Sequence, residues 1–568
     1  MTKLFIDGQE VALYNDLEID YISCNPFFQK KGEFTYDLDI DLHHPQNGKI
    51  YNHINRADIT KCPMNRKAVM ISESRTIIKG TEIILSIDGS IAKIQIVGGN
   101  SELNYLSGNG LRVREMDFGT ITVDRVLAKK TLEGCFPQYN FVCPPVYTGY
   151  DTDKYAFDNQ MRIQTDSTDY IQDTRISPQP YLLYYVEKVV ELLGYNLTEN
   201  FLRDDSRWCR LYLVNGYNTY EYAKMLPDWT ADEFITEIEK LFNCVFMVNQ
   251  TDKTVSIVDV KSYYANVQKL YIDEILDEVN EKTFGVDENL YVNYDNVSFD
   301  FPSLKEYKYI RLHEDVLNKC EIEEVDKYED TWGKPDEIYN KHIIYHAKDY
   351  GYDFIIVSSG GNTRHLKIVN RFADIKGDAD RDSTLMKIVP AEIYVGSDEG
   401  QLATWGLFAC AYARNANSLD ETTEQGLNDM IQNGVPEEDV PDRIYVALYA
   451  GWISLFTGLV ADLHYPGNKM PMSVTDTLGG GLGLIKFDDE GLTLTLLGEK
   501  GLYNSYYKGG IKVNTDTEYL FSFIYSGRCD PKAIYIIKNK PHYCKELKYK
   551  VKALGMDKVV EGTFYLME

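Results

Sequence analysis

The feature that most constrains this chain is the stretch "GEFTYDLDIDLHHPQNGKIYNHINR", residues 32–56. From Phe34 to Leu42 the residues alternate without a break. Phe34, Tyr36, Leu38, Ile40 and Leu42 are apolar, and Thr35, Asp37, Asp39 and Asp41 stand between them. Side chains leave a strand on alternate faces, so a period of two predicts a strand with one dry and one wet side. Three acids at alternate positions also suggest a calcium loop, and that reading fails at its diagnostic places. Counted from Asp37, the sixth position is Leu42 where the loop needs Gly, and the twelfth is Gly48 where it needs a bidentate Glu. The stretch reads as a building part, and no metal is expected there.

A chain of 568 residues is too long for one core, and three to four domains is the natural expectation. Its net charge of −28 argues against a general nucleic-acid binder, which needs a basic footprint, and against an anionic membrane surface. Forty-four tyrosines against 23 phenylalanines suit half-wet strand faces and subunit interfaces. No apolar run is long enough for a bilayer-crossing helix, and the N-terminus, with early acids and no apolar core, is not read as a signal peptide. The ten cysteines are scattered with no C-x-x-C, the pattern of reduced thiols in a protein made in the cytosol. Cys135 and Cys143 would pair only in an oxidising compartment.

Local patterns divide the chain into four parts and predict a multidomain α+β fold that is mainly β. Residues 1–145 read as a barrel-like or sandwich-like β domain, with hairpin turns at Asp7-Gly8 and Asp88-Gly89. The Pro-rich segment 135–149 reads as a loop leaving it. Residues 146–270 form an α+β module. In "SPQPYLLYYVEKVVELLGYNL" the apolar positions Leu182, Val186, Val189, Val190 and Leu193 recur at helical spacing before Gly194. In "LPDWTADEFITEIEKLFN" Asp228 or Thr230 serves as N-cap, and Phe234, Ile238, Leu241 and Phe242 form the buried stripe. "CVFMVNQTDKTVSIVDV" follows as a hairpin turning near Asn249–Lys253. Residues 271–480 are a second β-rich domain with an acidic loop at 417–443, and residues 481–568 are a C-terminal β-rich segment. "TLGGGLGLIKF" marks a hinge at Gly479–Gly483.

No arrangement predicts catalysis. His342 and His346 share the spacing of a zinc-binding helix, but Ile343 stands where the catalytic Glu belongs. The Ile343-Ile344 pair favours a strand, which would hold the two rings about 13 Å apart. No phosphate-binding loop and no nucleophile elbow is present. Cys544, two residues beyond His542, is the best candidate nucleophile, and the same pattern describes a packed structural cysteine. No catalytic residue, cofactor-binding residue or metal ligand is assigned, and no cofactor is expected.

Several phrases resemble the baseplate-hub or tail-tip proteins of phages and prophages of Bacteroidota. They are "NPFFQKKGEFTYDLDIDL" (25–42), "HINR" (53–56), "IVGGNSELNYLSG" (96–108), "LPDWTADEFITEIEKLFNCVFMV" (226–248) and "CDPKAIYIIKNKPHYCKELKYKVKALGMDKVVEGTFYLME" (529–568). The resemblance covers the first 265 and last 85 residues, and its phrases are typical of a family without being catalytic signatures. It implies a non-enzymatic structural subunit of the virion tail, made in the cytoplasm of the host bacterium. Tail-tube-like β-barrel domains would combine with a smaller α+β domain, and the chain would form a homo-oligomer, most often a trimer. Its partners would be a tail-tube or distal tail protein above and a spike or fibre below, with genomic DNA only in transit and no membrane segment. On that reading Asp37, Asp39 and Asp41 are the candidates to face the channel, where carboxylates would let a duplex slide. No added peptidase or glycosidase domain is expected after "EGTFYLME". The competing readings are a receptor- or carbohydrate-binding tail protein, which should show repeats or stalk heptads, and a tail-tip cell-wall peptidase, which would need an unseen triad.

Overall fold

A computed structural model of the chain describes residues 1–59, 65–108, 110–148, 157–163, 168–217, 219–264, 267–282, 297–300, 310–312, 321–331, 343–348, 352–359, 362–368, 384–396, 406–411, 442–454, 469–475, 492–496, 500–508, 517–525 and 529–567. The fold is α+β and mainly β, built from several sheets. The largest has 14 strands and draws on both ends of the chain. Its path begins at Gln9–Val11 and runs through Thr2–Ile6, Arg66–Ser72, Arg75–Asp88, Ile91–Gly98 and Glu33–Thr35 to Glu18–Cys24. There it crosses to the C-terminal strands Lys540–Lys552, Gly555–Leu566 and Thr517–Ile524, and it ends at Ile275–Lys282. The crossing is a continuous antiparallel ladder from Glu18↔Lys552 to Cys24↔Glu546, with Tyr21 and Tyr549 as opposed partners whose ring centroids lie 5.7 Å apart.

Among the described residues no sheet closes into the expected barrel. Instead of returning to Thr2–Ile6, the N-terminal strands hand their free edge to the C-terminal ones. What closure exists is a single backbone bond from Thr2 N to Ala553 O (2.9 Å), helped by Thr2 Oγ1 donating to Lys552 O (2.6 Å).

The opening alternation is carried by two short strands, Glu33–Thr35 and Leu38–Asp41. Both pair with Ile91–Gly98, and the phase changes between them. Thr35 is buried while Tyr36 is exposed, and from Leu38 onward the pattern follows the sequence, with Leu38, Ile40 and Leu42 buried. Asp7-Gly8 turns the first hairpin with both residues at positive φ (47° and 78°), as an Asp-Gly turn requires. Further on, Gly80 lies opposite Gly98, and a Cβ on Gly80 would sit 1.8 Å from Val97 O, so only glycine allows the ladder to pass there.

The two helices of the α+β module form where their local signals put them. Leu182–Leu192 buries Leu182, Val186, Val189 and Val190 and ends at Gly194 with φ +86°. Ala231–Phe242 is capped by Thr230, whose side chain accepts from Glu233 N (3.1 Å) while Glu233 Oε2 accepts from Thr230 N (2.7 Å). It ends in left-handed Asn243 and leads into the hairpin Cys244–Asn249 with Thr254–Asp259. The Pro-rich 135–149 segment is more than a loop. Phe141–Val142 pairs with Gln179–Pro180, and Val146–Tyr147 joins Gly406–Cys410, because backbone groups buried there need partners.

Strands beyond residue 271 complete the sheets of the module: Leu211–Leu213 pairs with Ile444–Ser454. One core therefore spans residues from Leu103 to Tyr507, a second fills the N- and C-terminal sheet, and a small aromatic cluster joins them. His342, most of the acidic loop (412–441) and the glycine hinge at Gly479–Gly483 lie outside the described residues.

Candidate functional site

The joint between the terminal sheet and the α+β module carries a set of buried polar ties among the described residues. Its first part is the loop that begins "NPFF". The Asn25 amide lies within hydrogen-bond reach of Tyr264 OH (2.9 Å), Pro531 O (3.0 Å) and Cys544 O (2.9 Å). Phe27 and Phe28 behind it pack against Tyr263, Tyr264, Tyr543 and Tyr565 at centroid separations of 4.6 to 5.7 Å. One fully buried asparagine thus ties together three segments remote in sequence, and the rings exclude water around it.

The second part is helix Asn100–Gly108. Asn100 mimics a strand: its amide nitrogen donates to Phe246 O (2.5 Å) and its carbonyl accepts from Val248 N (3.2 Å), which occupies the edge of strand Cys244–Asn249. Two residues on, the buried Glu102 carboxylate accepts from Thr81 Oγ1 on the terminal sheet. From the module it accepts Tyr195 OH (2.8 Å), Gln250 Nε2 and Lys253 Nζ (2.6 Å). Burial alone would raise the affinity of this carboxylate for a proton, but the bonds from Lys253, Thr81 and Gln250 outweigh it and hold its pKa below the usual value. A third tie runs from Lys30 to Asp232 Oδ2 (3.0 Å) and Thr236 on the Ala231–Phe242 helix.

Beside these ties lies an open cleft of about 730 Å³. Its walls include Ser23, Cys24 and Lys79 of the terminal sheet, Asn100, Met247 of the hairpin, and Lys532. Lys79 Nζ reaches across to Thr251 O (3.1 Å). Among the described residues no histidine lines the cleft, and burial, with Glu546 adding to it, pushes the Cys24 thiol up to about 12, so it stays protonated. The surroundings suit holding two bodies together and offer no activated nucleophile.

The residues singled out in the sequence lie elsewhere. Asp37, just before strand Leu38–Asp41, and Asp39 within it are exposed, Asp41 is half-buried and accepts from His43 N (2.8 Å), and Asp39 stands opposite Lys93. Cys544 is fully buried in the core of the terminal sheet, and burial drives its thiol well above the ordinary value. His542 is buried edge-on against Tyr519, Phe521 and Phe564, its Nδ1 engaged by Lys540 O (2.9 Å), and burial lowers its pKa. His346 stands in strand Ile343–Ala347. Cys135 and Cys143 are free thiols, as are all the described cysteines. Among the described residues no group of three His, Cys, Asp or Glu is placed to hold a metal, and no helix is long and apolar enough to cross a membrane.

No protein-family model and no curated protein matches the chain. Solved structures that align with nearly the whole chain include two tail proteins. One is the 43 kDa tail protein of prophage MuSo2 from Shewanella oneidensis, at 7% identity and a TM-score of 0.30, covering 99% of this chain and 95% of the other. The other is a tail protein from Neisseria meningitidis MC58, at 7% identity and a TM-score of 0.30, covering 100% and 96%. So loose a superposition assigns neither fold nor role.

Sequence reasoning missed the joint itself. Glu102, Asn100 and Asn25 look like ordinary surface residues in a linear reading. The available signal was that each sits inside one of the phrases on which the expected resemblance rests, rather than in a motif.

Proposed function

We propose that the chain is a structural hub subunit at the distal end of a phage or phage-derived tail, joining the tail tube to a spike or fibre and lining the path of the DNA. One observation supports the reading. Phrases that carry the sequence resemblance, though scattered from residue 25 to residue 567, meet at a single joint. "NPFF" supplies Asn25, bound to Pro531 and Cys544 of the C-terminal phrase; "NSELNY" supplies Asn100, bound to "CVFMV"; and Lys30 binds Asp232 of "LPDWTADEF". The side chains that these phrases bring together are used on buried hydrogen bonds and ion pairs between segments remote in sequence, as the parts of a scaffold would be. The oligomer is a trimer on this reading, and the Asp37, Asp39 and Asp41 face lines the channel.

The test is electron microscopy of particles labelled with an antibody to this chain. Label at the tip of the tail supports the hub, and label on distal fibres or capsid overturns it. Lysine at all three aspartate positions should leave particles assembled but slow DNA release, most visibly at low salt, where charges are least screened. Unchanged release would remove the channel assignment.

A further inference from the structure

The terminal sheet ends in two edges, and the chain treats them differently. At Gln9–Val11 side-chain amides take the place of a next strand. Gln46 Nε2 donates to Glu10 O, and the buried Asn47 accepts from Ala12 N (2.8 Å) and donates to Ala12 O (2.9 Å). Strand Ile275–Lys282, at the other end, pairs on its inner side with Thr517–Ile524, and among the described residues no strand lies beyond it. Apolar side chains stand in the open there. Leu276 and Val279 are each 52% exposed, and Tyr271, just before the strand, is exposed as well. An unguarded edge that carries exposed apolar groups is a surface made to be covered. Its charges say by what. Asp273, Glu274, Asp277 and Glu278 are all exposed, and among the described residues only Glu278 meets a cation, Lys538. Two such edges laid together would set acid against acid, so the edge does not pair with itself.

The complement lies in the other core of the same chain. Helix Arg125–Thr131 and strand Thr168–Tyr170 wall an open groove of about 420 Å³. Arg125, Lys129 and Lys130 line it, and Val126 among them is 64% exposed. Asp169 holds Lys129 (3.2 Å), while Arg125 and Lys130 are exposed and meet no carboxylate among the described residues. Copies of a chain with net charge −28 repel one another, so contact between them has to set a positive patch against a negative one.

We propose that the open edge at Ile275–Lys282 of one copy docks in the Arg125–Lys130 groove of a second copy. The exposed Leu276 and Val279 then cover Val126, and the edge carboxylates meet the two unmatched cations. Because the contact joins two different patches, each copy offers its edge to one neighbour and its groove to another, and the chain of contacts closes into a ring when the rotation allows. The number of copies in that ring rests on the hub reading; the two surfaces do not.

Sedimentation of the full-length protein at concentrations up to about 100 μM tests this, a range that registers micromolar contacts. The unaltered chain should associate, at least about tenfold more weakly at high than at low salt. Reversing the groove with Arg125→Glu and Lys130→Glu, or the edge with Glu274→Lys and Asp277→Lys, should each weaken association at least about tenfold. A chain carrying all four substitutions should regain it. General repulsion does not mimic this pattern, since the edge reversal lowers the net negative charge and would by itself strengthen association. Assembly that survives both reversals overturns the docking and leaves the hub reading to the tip labelling. A four-substitution chain that stays apart, or an unaltered chain that is monomeric throughout, overturns it too. Should a reversal fail to fold, hydrogen exchange of the unaltered chain decides. Amides from Glu274 to Val279 should slow, against those of helix Leu182–Leu192, as concentration rises through the association range, and unchanged exchange overturns the proposal.

Discussion

Leu38 and Asp39 are neighbours on one strand and differ in everything that matters energetically. Leu38 is 1% exposed in the core of the terminal sheet, while Asp39 points to water opposite Lys93. Asp39→Ala should change stability by no more than about 0.5 kcal/mol, whereas Leu38→Asp buries an unpaired charge and should cost at least about 3 kcal/mol. Urea melts of both variants decide it, and equal damage would mean the strand faces have been read the wrong way round. Glu102 makes the opposite case, a charge that belongs inside. Its folded pKa lies below the unfolded value, so its contribution is complete above about pH 4.3 and is lost as pH falls through the lower folded value. Glu102→Gln should remove about 2 kcal/mol at neutral pH, the scale of a charge-assisted bond, and much less near pH 3. A stability difference that does not shrink in acid would show that the charge is not what Lys253 needs.

At the scale of elements, what was legible in the sequence was whatever is decided within a dozen residues. The capping box at Thr230, the stripe from Phe234 to Phe242 and the Asp7-Gly8 turn are local agreements of side chain with backbone, and they appear where expected. Thr230→Ala should therefore lower stability by about 1 kcal/mol, read as a shift in denaturant midpoint with unchanged slope. The partner of a strand is not written in this way. Alternation tells Glu18–Cys24 which face is dry and nothing about what lies beside it, so its pairing with Lys540–Lys552 was invisible, and with it the open sheet that replaces a barrel. The candidate site was hidden for the same reason. Asn25, Glu102 and Lys30 each bind a residue more than 90 positions away, Pro531, Tyr195 and Asp232 respectively.

For the whole molecule, the ladder between the two ends should make them one cooperative unit. Amides of Glu18–Cys24 and Lys540–Lys552 should share a common dependence of exchange on denaturant, distinct from that of helix Leu182–Leu192, whose residues belong to the other core. Val551→Ala, at a fully buried position opposite Ile19, should lower protection in both strands together. Independent opening of the two strands would mean that the terminal sheet is two bodies in contact rather than one.

The same ladder has a consequence during synthesis. Strand Glu18–Cys24 leaves the ribosome more than 500 residues before Lys540–Lys552 is made. At roughly 5–20 residues per second, it waits on the order of 25 to 100 s with one side of its backbone unmatched. An open edge of that kind recruits strands from other nascent chains unless something discourages them. Glu18 and Asp20 lie on that edge, and in the finished fold they meet Lys550 and Lys548 at 3.4 and 2.9 Å. Before those lysines exist, the two carboxylates repel the acidic copies being made on the same message. A charge pair at the surface of the completed protein is thereby also a guard for the unfinished one.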